Sequence, residues 1–205
     1  MKRYQWTTVA LARHGVVDRK DGTVVTVTIG EDEDDPLLCV SDLLIQLSAD
    51  QMKKPLAEGI TGEQLNVILG TEPLEGDGTD LVKLHIMKLL NEKYGLVEED
   101  FLSAELTIVP AGKCREYGLD RSLLGADGDD DRVCAYAEIE GLLTIENPEK
   151  TAVCILADKE EIGSVGISGM QSKCFETFMQ DLCDTQGASL NRCLENSFCL
   201  SADVS

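Results

Sequence analysis

The sequence predicts an α/β chain in two parts: a mainly β module over residues 1–103, and the first part of an α/β sheet domain over residues 104–205. Three observations carry this reading. A run rich in branched residues folds back on itself about Lys20, Asp21 and Gly22, and strand-like and helix-like patterns alternate after Ser103. A short apolar run at residues 152–156 stops abruptly at a cluster of charge.

In chain order, residues 4–29 read as a two-stranded hairpin, because QWTTVALARHGVV and TVVTVTIG flank an Asp-Gly turn. Glu31, Asp32, Glu33, Asp34 and Asp35 then form an acidic run closed by Pro36; like charges repel, so this is an exposed loop. SDLLIQL predicts a short helix capped by Ser41 or Asp42. Residues 48–61 are polar and irregular, and residues 64–69 alternate as a strand. Leu81, Leu84, Ile86, Leu89 and Leu90 recur near helical spacing and predict a helix that ends at Gly95. Beyond the boundary near Ser103 the expected order is a strand at 105–109, a helix at 131–143, a strand at 152–156, a helix at 169–183 and a strand at 197–200.

Composition narrows the function classes. The chain has 205 residues, 43% of them hydrophobic, which suffices for one large domain or two small ones. Its formal net charge of -20 opposes binding to nucleic acid or to an anionic membrane surface, both of which are polyanions. No stretch reaches the roughly 18 apolar residues of a membrane helix, and MKRYQWTTVA lacks the apolar core of a secretory signal. These features predict a soluble, cytoplasmic protein. Of the 8 cysteines, no two stand as CxxC, which argues against a zinc ribbon; several sit in apolar runs such as AVCIL, where a reduced thiol behaves as a small hydrophobe.

The run at 152–156 delivers Asp158, Lys159, Glu160 and Glu161 to the place where the strands of an α/β sheet present ligands and reacting groups. Two adjacent carboxylates there can divide the work of holding a metal and taking a proton; the plain alternative is a solvated acidic turn. Two further segments bring acid to a strand end or helix start. Asp129, Asp130 and Asp131 open a predicted helix, and Asp203 follows the predicted strand at 197–200. Gathered at one sheet edge these carboxylates would repel one another, and a divalent cation is the simplest compensation. His14 and His85 read as a strand residue and a helix-flank residue without a catalytic part.

DDRVCAY, DKEEIGSVGISGMQS and SADVS, with YQWTT, IGEDEDDP and FLSAELTIVPAGK, resemble the M18 zinc metalloaminopeptidase family that includes aspartyl aminopeptidase, over essentially the whole chain. The resemblance implies two zinc ions, bridged by Asp130, with Glu161 on one and Asp203 on the other, and Glu160 as general base. Asp131 and Arg132 would support these ligands, and the substrates would be peptides losing N-terminal residues. The first module would be of the dimerisation and lid type, making a homo-oligomer of the complete enzyme.

The chain departs from that pattern in one respect: the two histidines that complete the family's zinc shell have no counterpart here. A further family histidine near Gln46 is also absent. The sequence therefore predicts an internal piece of a longer enzyme, inactive alone. Two alternatives stay open: a non-catalytic interaction remnant, and a carboxylate site for magnesium or manganese.

Overall fold

The computed structural model describes residues 9–160 and 163–204. They form a mixed α/β chain with small sheets, in two compact units, residues 1–127 and 128–205.

The first unit contains β1 (Leu11–Asp18), β2 (Val24–Ile29), β3 (Cys39–Val40), β4 (Val67–Ile68), helix α1 (Leu81–Tyr94), β5 (Ala104–Pro110), β6 (Arg115–Tyr117) and β7 (Leu123–Gly125). β1 is the centre of a three-stranded sheet ordered β2-β1-β5, antiparallel on both sides. The expected hairpin is present: Gly22 N–H donates to the Arg19 carbonyl at 2.9 Å, and Asp21 accepts from the Thr23 amide and hydroxyl at 2.9 and 2.6 Å. Those two bonds hold the Asp21 carboxyl below its usual range.

The core is assembled on this sheet from Val17, Val27 and Leu96, with Val25, Ile29, Tyr94, Phe101, Ala104 and Leu106 against it. Leu96 reaches it through the end of α1. Gly95 takes a left-handed conformation, φ 67, and its N–H donates to the Asn91 carbonyl at 2.7 Å, so the helix stops and turns Leu96 inward. The Tyr94 hydroxyl donates to the Thr28 carbonyl at 2.5 Å and the Arg19 guanidinium donates to the Tyr94 carbonyl, joining helix end to hairpin. The acidic loop is anchored at both ends. His14 donates to Glu31 at 2.8 Å, while Asp35 accepts from the Gly30 amide at 3.1 Å and from Lys93 at 3.2 Å.

Several expectations are corrected. SDLLIQL is a turn, with Leu47 N–H on the Leu44 carbonyl at 2.9 Å. Asp42 accepts from its neighbour Leu43 N–H and from Gln51, a local bonding pattern that competes with a helix cap, and Leu43, Leu44 and Leu47 stay exposed. The predicted strand at 64–69 shrinks to the two residues of β4, paired with β3. The division between units falls after Asp127 rather than near Ser103, because β5 pairs with β1 along its length.

The second unit holds α2 (Asp129–Leu143), α3 (Cys174–Thr185) and α4 (Leu190–Glu195). Among its described residues there is no strand: residues 152–156 and 197–200 are without a ladder, with Leu156, Phe198 and Leu200 exposed. An apolar run becomes a strand only when a neighbouring edge takes its backbone bonds, and composition alone does not reveal that edge. α3 begins later than the predicted 169 because GSVGISGM spends its glycines on turns, closed by Gln171 N–H on the Ser164 carbonyl at 3.3 Å. Among the described residues no helix is long and apolar enough to cross a membrane.

Candidate metal centre

The start of α2 positions the site. Gly128 is left-handed, φ 76, and Asp130 (φ -88, ψ 107) and Asp131 (φ -122, ψ 52) depart from helical torsions, so the regular helix begins after them. The Asp130–Asp131 peptide is cis. Asp131 then acts as the helix cap: its Oδ1 accepts from the Cys134 amide at 3.1 Å, the three-residue spacing that satisfies an unpaired first-turn N–H. The Arg132 guanidinium lies against Gly128, which has no side chain to obstruct it.

Asp203, far away in sequence, joins this helix start. One carboxylate oxygen each from Asp130, Asp131 and Asp203 lies within 4.8 Å of the others, with Asp130 and Asp203 exposed and Asp131 half-buried. The charge of the group is felt by Cys134. Its thiol hydrogen bond to Asp131, then burial, then the negative charges of Asp131, Asp203 and Glu138 push it up to about 11. The free thiol therefore stays protonated around neutral pH.

The chain turns tightly about Lys159 and Glu160. Gly163 N–H donates to the Glu160 carbonyl at 2.8 Å and Ser164 N–H to the Lys159 carbonyl at 2.9 Å, with Lys159 left-handed at φ 58. Ser168 donates to Asp158 at 2.7 Å and holds that carboxyl below its usual range, and Lys159 lies 3.7 Å from it. Glu160 is exposed and is not one of the three gathered carboxylates; Glu161 lies outside the described residues. Asp131, which the sequence casts as a supporting group, belongs to the cluster itself. The signal for it was in the sequence: an aspartate three residues before a half-buried helical cysteine is in capping register.

His14 and His85 belong to the first unit and are engaged there, His14 with Glu31 and His85 with the Glu72 carbonyl at 2.9 Å. The donor set at the cluster is thus carboxylate oxygen, which fits a divalent cation: the charge relieves three crowded acids, and Asp130 and Asp203 are open to solvent to receive it. Zinc accepts such oxygens while preferring nitrogen and sulfur.

Fold and site together define a mixed α/β protein with an oxygen-donor cluster suited to a divalent cation. Residues 1–205 match the family model described as Aminopeptidase I zinc metalloprotease (M18), and the chain belongs to that family. It is 51% identical over 210 residues to the "Probable M18 family aminopeptidase 1" of Clostridium acetobutylicum, covering 100% of this chain and 45% of that protein. The corresponding protein of Thermotoga maritima is 42% identical over 209 residues, covering 100% and 46%. Among solved structures, the M18-family aminopeptidase from Thermotoga maritima superposes with a TM-score of 0.76 at 42% identity, over 92% of this chain and 41% of that one. Aminopeptidase I from Clostridium acetobutylicum gives 0.74 at 51% identity over the same shares, 92% and 41%. The chain spans less than half the length of these curated relatives.

Proposed function

We propose that these residues carry part of the centre of a dinuclear zinc aminopeptidase that removes N-terminal residues from peptides. The observation that supports it is the meeting of Asp130 and Asp203 across the second unit, at the two positions the family resemblance assigns to metal. In this reading Asp130, Asp203 and Glu161 would hold the zinc, which would supply Lewis acidity toward the scissile carbonyl and the attacking water. Glu160, which is exposed, would take the proton from water and return it to the leaving amine. Asp131 fixes the helix start that presents Asp130, and Arg132 braces the turn before it.

Metal titration tests the ligands. Zinc is expected to bind the purified chain by calorimetry, and Asp130→Asn and Asp203→Asn should each weaken it at least about tenfold, the lower end of what loss of even a supporting group costs. Unchanged affinity in both variants would remove the assignment, and tighter binding of magnesium than zinc would replace it with a hard-cation site.

A polypeptide of these 205 residues by itself is expected to show no turnover of an aminoacyl p-nitroanilide above buffer with zinc present, since it spans 45% of the Clostridium relative and its clustered donors include no imidazole. Strong zinc-dependent turnover would show the donor set to be sufficient. Exposed Leu43, Leu44 and Leu47 favour a further element of the reading, association of the first unit with copies of itself. The cytoplasm is the proposed compartment, in keeping with 8 free thiols.

A further inference from the structure

Helices α3 and α4 carry a pair of thiols that the metal centre does not use. On α3 the buried residues are Met179 and Cys183, one helical turn apart. On α4, Leu190 and Cys193 are half-buried and the other positions are exposed. The chain reverses tightly between them: Gln186 and Ala188 both donate to the Cys183 carbonyl, at 3.1 and 2.9 Å, and Cys193 N–H donates to the Ser189 carbonyl at 2.9 Å. This sets α4, with half-buried Cys193, against the buried face of α3 that carries Cys183, and the Cys193 side chain acts on the Cys183 thiol. Burial, followed by the nearby Cys193 side chain, holds the Cys183 thiol above its usual range, and the less buried Cys193 is the sulfur that an outside reagent meets first.

We propose that Cys183 and Cys193 are a redox pair that closes to an intramolecular disulfide on reaction with a low-molecular-weight disulfide such as oxidised glutathione. The Cys193 thiol gives its proton to solvent, and the thiolate attacks one glutathione sulfur, forming a mixed disulfide and expelling one glutathione thiolate, which is protonated. Cys183 then loses its proton, attacks Cys193 Sγ and expels the second glutathione. One small disulfide is reduced to two thiols while two protein thiols become one disulfide, and no other reactant is needed. The product staples α3 to α4. Cys134 and Cys154 have carboxylate rather than thiol partners, Asp131 and Glu138.

The test incubates the reduced, folded chain with oxidised glutathione at mildly alkaline pH, quenches with acid, alkylates and maps the peptides by mass spectrometry. The expected product is a cross-linked peptide pair joining Cys183 to Cys193, two hydrogen masses lighter than its parts. A lasting glutathione adduct on Cys193 of the unsubstituted protein would overturn the proposal. Cys183→Ser is expected to trap that adduct, and its failure to do so would equally overturn it. In concentrated urea the 183–193 link should lose its preference over other pairings; an undiminished preference would mean that sequence proximity, not the helical hairpin, brings the thiols together, and the proposal would fall.

Discussion

Glu160→Gln is expected to lower kcat by about 10²–10⁴-fold, the contribution of a positioned general base. The active background is a chimera in which residues 1–205 replace the matching stretch of the Clostridium acetobutylicum relative, to which they are 51% identical. Glutamine keeps the size of the side chain and its carbonyl acceptor but cannot take up a proton. Because Glu160 stands outside the gathered carboxylates, the metal content of the variant should be unchanged. The neighbouring Glu161→Gln should do the reverse, losing metal first and activity as a consequence. Elemental analysis beside steady-state kinetics separates the two. Loss of metal from Glu160→Gln with a residual kcat that metal restores would make Glu160 a ligand and leave the base unassigned.

The fold was legible where local physics decides it. The hairpin around Gly22 and the helix ending at Gly95 are set by turn chemistry and helical period, and both stand as expected. The second unit was not legible in the same way. Residues 152–156 have the composition of a buried strand, yet Val153, Ile155 and Leu156 lie exposed with no ladder beside them. Pairing is a property of the neighbour, and the sequence of a strand does not state whether its neighbour is there. The hairpin of β6 and β7 was missed for the converse reason: residues 115–117 and 123–125 are largely exposed and lack the alternation that announces a half-buried strand.

The candidate site divides along a similar line. That Asp130 and Asp203 meet was legible from motif resemblance and from the expectation that acids converge. The route by which they meet was not. The expected sheet edge is absent among the described residues, and the helix start of α2 does the positioning instead, with Asp131 capping it through the Cys134 amide. A cap is written in three-residue spacing and could be read. A chain segment such as the one bearing Asp203, without regular structure, has no period to read.

Gly15→Ala is expected to be among the most destabilising single substitutions in the first unit, at about 2–6 kcal/mol, combining backbone strain with overpacking. Gly15 sits in the central strand, opposite Val27 on one side and Leu106 on the other. Its φ of +151 is one that residues with a side chain rarely adopt. A methyl group there would overlap the Glu105 carbonyl oxygen, with Leu106 Cα at 2.8 Å and the Glu105 carbonyl carbon at 2.9 Å. Every one of these atoms is backbone, so no rotamer change gives room, and relief requires β1 and β5 to separate. The two strands carry Val17, Ala104 and Leu106, which build the core with Leu96, so parting them opens the core as well. At roughly 2–8 °C per kcal/mol for units of this size range, the melting temperature should fall by about 4 °C or more. Gly62→Ala is the matched control: nothing stands within 4 Å of the added methyl, and the expected change is within about 0.5 kcal/mol. Equal melting of the two variants by circular dichroism would mean that β1 and β5 are not held in the register described, and with it would go the placement of Val17 and Leu106 in one core.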